Sequence, residues 1–267
     1  MPGLLSEITP VILTRDEEVN IGRTLGQLRW ARAVIVADSG STDRTVAIAS
    51  SFPNVRIVTR PFDDFARQWM HAISFVTTAW LLALDADYFL PEELANEIDA
   101  LAPPDDVDAY EAPFAYAVNG RRLRAASYPP HPVLLRRDAC SFVMDGHAYR
   151  AVVHGGVERL RQPLVHDDRK DLRRFVARQR RYMRQEAAKI RATPWRALNT
   201  VGKIRKLRVV APFAAALHTL LVKRAILDGR AGWRYALERV IAELMLSLEL
   251  INPERGGAQG AGAKDLR

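Results

Sequence analysis

Four short apolar runs in the first third of the chain alternate with polar loops and helical patterns. The runs are Ile8 to Leu13, Ala33 to Ala37, Val55 to Val58 and Trp80 to Leu84. Apolar residues at helical spacing follow the first run, and Phe65 to Val76 has the pattern of a helix leading into the fourth. Strands that alternate with helices predict a mostly parallel sheet with right-handed crossovers. We therefore predict an α/β fold whose strand ends share one edge.

Acidic side chains follow two of these runs. Asp38 ends the second run, and Asp85 and Asp87 end the fourth. In a strand that continued, residues two positions apart would point to one face. Ligands bind at strand ends in open α/β sheets, and paired carboxylates suit Mg²⁺ or Mn²⁺, which can hold a diphosphate. The alternative is a plain acidic turn, because Asp-x-Asp is common by chance.

Three motifs, in order and spacing, resemble the inverting family 2 glycosyltransferases of GT-A fold. They are Pro10 to Glu18, Val36 to Thr45 and Leu84 to Asp87. Later stretches resemble the subgroup that adds sugars to the lipopolysaccharide inner core: Gly120 to Arg124, His166 to Leu172 and Leu227 to Gly232. The resemblance implies transfer of a sugar from a nucleotide diphosphate sugar, a UDP-hexose first, to a lipopolysaccharide-core or other lipid-linked glycan. It also implies Mg²⁺ or Mn²⁺ as cofactor.

The resemblance also assigns donor and metal residues. Asp87 is expected as the more direct metal ligand, Asp85 at the ribose or the metal, and His166 as a completing ligand. The expected nucleotide-sugar-binding residues are Thr14, Arg15, Glu17, Asp38, Ser39, Arg67, Gln68 and Asp85. The alternatives are a helix cap for Asp38, an exposed helix surface for Arg67 and Gln68, and a simple strand-to-helix junction for His166.

The base that inversion requires is harder to assign. Relatives often carry His-Glu near Asp145-Gly146-His147-Ala148, but this chain has Ala148 where the glutamate is expected. Asp145 is the nearest remaining carboxylate and ranks first, ahead of Asp168 and Asp167 beside His166.

Basic and aromatic residues between Tyr116 and Pro132 suit a phosphorylated sugar acceptor. The expected acceptor-binding residues are Arg121, Arg122, Arg124 and Tyr128. A tight hairpin turn at Asn119-Gly120 explains part of the same composition.

The 267 residues allow one large α/β core with an attachment. We predict a GT-A catalytic domain over 1–168, with a nucleotide-sugar half at about 1–100 and an acceptor half at about 101–168. A basic and amphipathic helical appendage is expected over 169–252 and a flexible tail over 253–267. A single cysteine, Cys140, excludes an internal disulfide and suits a reducing compartment, and no signal peptide is evident.

Positive charge is concentrated in the appendage. Residues 169–208 hold 15 Lys or Arg against two acids, a net +13, whereas the whole chain is +8 and the remainder therefore −5. A solvated helix, a nucleic acid and an anionic membrane could each explain this segment. The apolar run Val209 to Val222 favours a membrane. It is shorter than the roughly 20 residues of a transmembrane helix and suits an interfacial, re-entrant or buried core helix.

We thus expect a peripheral protein on the cytoplasmic face of the cell membrane, with no nucleic-acid partner. The amphipathic pattern from Trp233 to Leu248 could also form a homo-oligomer contact. Two other classes stay open. A nucleotidyltransferase would normally have a glycine-rich basic loop after the first strand, where this chain has Thr14 to Glu18. A non-enzymatic binding protein would leave the three aspartates without a joint purpose.

Overall fold

The computed structural model describes residues 3–124, 129–145, 148–169 and 171–252, with the side chains of Asp145 and Ala148 left out. Its first half alternates strands and helices as the apolar runs predict. The elements are β1 (Ile8–Thr14), α1 (Ile21–Gly26), β2 (Val34–Asp38), α2 (Thr45–Ser50), β3 (Val55–Thr59), α3 (Phe65–Ile73), β4 (Trp80–Asp85), β5 (Tyr88–Phe89) and α4 (Glu92–Asp99). A short 3₁₀ helix, Leu4–Glu7, precedes β1.

Strands and a hairpin make up most of the next stretch. They are β6 (Val107–Ala112), β7 (Phe114–Val118), β8 (Arg121–Arg122), β9 (His131–Arg136), β10 (Cys140–Asp145), β11 (Ala148–Val153), β12 (Gly156–Arg159) and β13 (Leu164–His166). The C-terminal region is helical: α5 (Leu172–Ala192), α6 (Thr200–Lys206), α7 (Val210–Leu217), a π turn (His218–Val222) and α8 (Gly229–Ile251). Short 3₁₀ segments lie at Arg137–Ala139, Trp195–Ala197 and Ala225–Asp228.

The main sheet has seven strands in the order β12-β6-β9-β4-β1-β2-β3. Strand β1 is parallel to both β4 and β2, and β2 is parallel to β3, so their carboxyl ends meet at one edge. Strand β9 runs antiparallel between β4 and β6. One face packs on α1, α2 and α4, and the other packs on α3 and the β10–β11 hairpin. The predicted fold class is confirmed.

Strand β4 ends at Asp85, and Ala86 and Asp87 form a turn into β5. The apolar run Trp80 to Leu84 is thus a strand that stops at the aspartates, as predicted. Two contacts hold the turn: the hydroxyl of Thr24 donates to the Ala86 carbonyl at 2.6 Å, and the Asp167 backbone N–H donates to the Asp87 carbonyl at 3.0 Å. Contacts from two other elements therefore hold Asp87 beside the end of β4.

A smaller sheet, in the order β5-β13-β7-β8, joins β5 of the first half to strands from residues 114–166. Strands β7 and β8 form the hairpin expected at Asn119-Gly120, where both residues have positive φ, 51° and 83°. A turn whose two central residues have positive φ fits the right-handed twist of the two strands that it joins.

The C-terminal helices pack on each other and on the rest of the chain. Helices α5 and α8 share an apolar cluster that includes Met183, Ile190 and Leu246. Tyr235 of α8 packs with Leu123 and Tyr116 beside the β7–β8 hairpin. The predicted helical character of this region is confirmed.

The run Val209 to Val222 forms α7 and the π turn, and its large side chains are mostly exposed. Phe213 and Val222 are each 70% exposed, which does not fit a buried core helix. Within the described ranges, no single helix has both the length and the apolar character to cross a bilayer. One pair, Val210–Val222 with Ala225–Ile251, meets those criteria jointly but is bent by 67°.

Candidate functional site

A cleft of about 1140 Å³ lies between the carboxyl edge of the sheets and the C-terminal helices. Asp85, Asp87 and His166 line it from the sheet side. Arg178 and Tyr182 of α5 line it from the helical side, together with residues of α8. Its volume slightly exceeds the usual range for ligand pockets, about 300–1,000 Å³, so it has room for a ligand larger than a typical drug-sized molecule.

Asp85 at the end of β4 and Asp87 in the turn after it affect each other electrostatically. Burial and the neighbouring charge of Asp87 raise the pKa of Asp85 to about 6. The Nε2 atom of His166 lies 3.0 Å from Oδ2 of Asp87. Although burial opposes it, the Asp87 carboxylate raises the pKa of His166, with a further contribution from Asp168. The sequence-predicted residues Asp85, Asp87 and His166 are thus brought together.

The side chains at this site can supply part of the ligands of a divalent cation. No three His, Cys, Asp or Glu side chains in the described part of the chain are arranged to hold a metal by themselves. The pKa of Asp85 is raised first by burial and then by the charge of Asp87, and a bound cation would stabilise the ionised carboxylates. Since Mg²⁺ is usually bound by one or two carboxylates, water and substrate phosphates, Asp85 and Asp87 are sufficient as the protein's share.

The loops after β1 and β2 are joined by hydrogen bonds. The Asp16 backbone N–H donates to the Ser41 hydroxyl at 2.9 Å, and the Thr42 N–H donates to an Asp16 carboxylate oxygen at 2.8 Å. The Glu17 N–H donates to the Thr45 hydroxyl at 2.7 Å. The two loops consequently form one rigid rim above the ends of β1 and β2.

The predicted donor residues on this rim differ in what they can offer. Asp38 is buried and accepts from the N–H groups of Gly40 and Ser41 at 2.9 and 3.0 Å, so it shapes its own loop. The Thr14 hydroxyl is buried and, among the described residues, has no hydrogen-bond partner. Glu17 accepts from the Asn20 amide at 2.9 Å, and Arg15 is exposed.

The two α3 candidates have separate positions. Gln68 is fully buried; its amide donates to the Ser39 hydroxyl at 3.0 Å and its oxygen accepts from Arg60 at 3.1 Å. Gln68 therefore positions Ser39, and the exposed-surface alternative does not apply to it. Arg67 is exposed and pairs with Asp63 at 3.1 Å.

Adjacent aspartates after β13 face different partners. Asp167 is only 3% exposed and accepts from Arg23 at 2.8 Å, Arg169 at 3.0 Å and the Gly120 N–H at 3.2 Å. Its carboxylate oxygens thus accept hydrogen bonds from three separate segments and hold them together. Asp168 lines the cleft and lies 2.7 Å from Nη2 of Arg178.

The remaining predicted residues lie at the acceptor side. Arg121 and Arg122 are exposed on β8, and the Arg124 backbone N–H donates to buried Asp228 at 2.9 Å. Tyr128 and the Asp145 side chain fall outside the described part of the structure.

Sequence reasoning did not identify several cleft residues. Tyr149 donates from its hydroxyl to Asp85 at 3.4 Å, and burial together with Asp85 keeps its pKa well above 10, so it stays a donor. Arg178, Tyr182 and Tyr116 also line the cleft. The sequence signal at α5 is its concentration of positive charge, which also suits an anionic membrane surface.

Comparisons with known proteins agree with this architecture. A family model described as "Glycosyl transferase family 2" matches residues 10–154, more than half of the chain. A protein of Rickettsia bellii, "Uncharacterized glycosyltransferase", is 34% identical over 110 residues, 41% of this chain and 37% of the relative. "Lipopolysaccharide core biosynthesis glycosyltransferase LpsC" of Rhizobium meliloti is 27% identical over 105 residues, 38% and 39% of the two chains. The matches thus span under two fifths of these relatives' length.

Among solved structures, the mannosyltransferase PcManGT of Pyrobaculum calidifontis, in complex with GDP-Man and Mn²⁺, has a similar fold. Its TM-score is 0.51 at 17% identity, over 94% of this chain and 89% of that one. Similarity at this level supports the shared architecture, including the C-terminal helices.

Proposed function

Since this chain belongs to glycosyl transferase family 2, we propose that it transfers a sugar, with inversion, from a nucleotide diphosphate sugar to a glycan acceptor. A UDP-hexose is the donor we favour. The observation that carries the proposal is the pair of carboxylates, Asp85 and Asp87, at the end of β4 in a cleft of about 1140 Å³. The nucleotidyltransferase and non-enzymatic alternatives have no comparable support.

Asp87 and Asp85 would hold Mg²⁺ or Mn²⁺, with His166 positioned by its 3.0 Å contact to Asp87. A divalent cation supplies charge neutralisation for the departing diphosphate. Tyr149 keeps Asp85 oriented through its hydroxyl. The rest of the donor would lie along the rim, with Thr14, Arg15, Glu17 and Asp38 near the base and ribose.

The position of Thr14 supports a nucleotide contact most directly. A buried hydroxyl without a partner costs free energy that a ligand hydrogen bond would recover. Ser39 and Gln68 act on the same site by fixing the loop after β2. Arg67 lies at the α3 surface and would meet only an exposed part of the donor.

We retain Asp145 as the proposed base, ahead of Asp168 and Asp167. The base takes the proton of the acceptor hydroxyl as its oxygen bonds to the anomeric carbon and the nucleotide diphosphate leaves. The contacts of Asp167 with two arginines weaken its candidacy, because they occupy its oxygens. Asp168 shares this difficulty through Arg178.

The acceptor we propose is a lipid-linked glycan of the lipopolysaccharide-core type. Arg121, Arg122, Arg124 and Tyr128 would contact its anionic and sugar groups. Exposed apolar side chains on α7, the π turn and α8 would attach the enzyme to the membrane that holds such an acceptor: Val209, Phe213, Leu217, Leu221, Val222, Trp233, Leu237, Leu244 and Leu248. Exposed Arg208, Arg224 and Arg230 lie beside them in the chain and suit anionic lipid.

The test of the chemistry uses purified protein with Mn²⁺ and a set of UDP- and GDP-sugars, with donor hydrolysis as readout. We expect Asp87→Ala to abolish turnover while the circular dichroism spectrum stays that of the wild type. The matched control is Asp138→Ala, which removes a 77% exposed carboxylate outside the cleft. Turnover near the wild-type rate in folded Asp87→Ala would refute the metal assignment.

The membrane proposal is tested by sedimentation with vesicles containing anionic phosphatidylglycerol. Binding should weaken at high salt without vanishing, since apolar insertion is not screened. The double variant Phe213→Ser, Leu217→Ser should lose the salt-resistant part. If the wild type does not bind at low salt, these side chains serve packing or self-association instead.

A further inference from the structure

Helix α5 places a half-buried cation next to a carboxylate of the cleft. Nη2 of Arg178 lies 2.7 Å from Oδ2 of Asp168, and the Arg178 side chain is 27% exposed. The same cleft is lined by Asp85 and Asp87. Although burial opposes it, the pKa of Arg178 is raised by Asp168 and also by Asp87, so its guanidinium lies within the field of the predicted metal ligand.

The local charge balance gives this arginine a purpose beyond one ion pair. Asp85, Asp87 and Asp168 bring three acidic groups, and Arg178 and the imidazole of His166 both interact electrostatically with Asp87. A diphosphate adds about two further negative charges. Metal binding offsets the carboxylate pair, but the phosphate oxygens still require donors on the side away from the metal.

Guanidinium groups match phosphate in geometry as well as charge. An arginine presents paired N–H donors in a planar fork, and its hydrogen bonds to phosphate are about twice as strong as neutral ones. With one terminal nitrogen on Asp168, the remaining N–H groups of Arg178 can face the cleft. Asp168 would then fix the orientation of the guanidinium.

We propose that Arg178 binds the donor diphosphate, so that the C-terminal helical region completes the donor site. This inference rests on the proposed function. As the bond between the anomeric carbon and the phosphate oxygen breaks, its electron pair passes to that oxygen, and the guanidinium stabilises the resulting charge. Helix α5 is then part of the catalytic machinery as well as a support.

The test measures nucleotide binding by calorimetry, with UDP, GDP and UMP as probes in Mn²⁺. Arg178→Gln should weaken diphosphate binding about tenfold or more, while UMP binding changes less than about twofold. Arg178→Lys should recover part of the loss, because it keeps the charge and lacks the fork. Arg173→Gln is the matched control, since Arg173 lies exposed on the same helix.

The outcomes are separable. If the wild type binds diphosphate nucleotides and Arg178→Gln binds them equally well, this inference is overturned and the proposed function stands. An equal loss for UMP and UDP also overturns it, because it indicates a structural role. If the wild type binds neither UDP nor GDP, the proposed function fails too. If Arg178→Gln does not fold, UDP and UMP binding are compared between Arg178→Lys and the wild type. UDP binding by Arg178→Lys that equals that of the wild type would then refute the inference.

Discussion

Replacing Asp167 with asparagine should destabilise the protein strongly. The side chain is 3% exposed and accepts hydrogen bonds from Arg23, Arg169 and the Gly120 N–H, which lie on α1, after β13 and in the β7–β8 turn. Asparagine keeps the shape but removes the charge and turns one acceptor into a donor. Arg23, only 24% exposed, would lose its charged partner and keep only its hydrogen bonds to the Asn20 side chain and the Asp167 carbonyl among those described.

The magnitude follows from this burial. Breaking a buried ion pair by removing one partner costs about 3–5 kcal/mol, and partial exposure of Arg23 places this case near the lower end, at about 3 kcal/mol. For a chain of this size, each kcal/mol shifts the melting temperature by about 2–4 °C. We therefore expect a decrease of roughly 6–12 °C.

The assay is thermal unfolding followed by circular dichroism, with Asp138→Asn as the control. Asp138 also pairs with an arginine, Arg137, at 2.7 Å, but it is 77% exposed, so its loss should cost less than about 1 kcal/mol. A melting temperature for Asp167→Asn within about 2 °C of the wild type would refute the reasoning. It would also restore Asp167 as a candidate for the base.

Three further outcomes can be checked separately. Gly232→Ala should lower the melting temperature, because an added Cβ would lie 1.8 Å from the Ala225 carbonyl oxygen. In Gly26→Ala the added Cβ meets nothing within 4 Å, so the effect should be neutral or stabilising. Equal effects of the two variants would contradict this. Burial raises the pKa of Cys140 to about 11, so iodoacetamide at pH 8 should label it far more slowly in the folded than in the urea-unfolded protein, as measured by mass spectrometry. In EDTA, Asp85→Asn should have a higher melting temperature than the wild type above pH 6 but not at pH 4. The pKa of Asp85 is raised from 3.8 to about 6 in the folded protein, so the wild type loses stability as the pH rises between those values, whereas the variant does not. A difference that does not depend on pH would contradict this.

The parallel sheet could be predicted because its strands are buried on both faces and read as continuous apolar runs. Strand β1, for example, is buried at every position. The contacts that hold the turn after β4 could not be predicted, since they come from Thr24 and Asp167, far away in the sequence. Local pattern specifies strand content, while tertiary contacts specify where a strand stops.

The candidate site divides in the same way. Asp38, Asp85 and Asp87 could be located because each follows an apolar run. The different contacts of Asp167 and Asp168 could not be predicted. They depend on which of these two adjacent side chains faces the cleft after β13 ends at His166. The place of Arg178 depends on how α5 packs across the cleft, which its charge pattern does not encode.

Helix α5 also decides where the chain can be divided. Near its start, Arg174 lies 3.6 Å from Glu18 and 3.7 Å from Asp43, on the two loops of the rim, while its last turns pack on α8. A chimera that exchanges the C-terminal region at residue 168 would separate these loops from their own helix. A junction between 193 and 199, after α5 ends, would keep it with the rim but would have to match a new α8 to the apolar face of α5. The contact between α5 and α8 therefore limits the choice of a chimera junction more than the boundary at residue 168, which the sequence alone suggests.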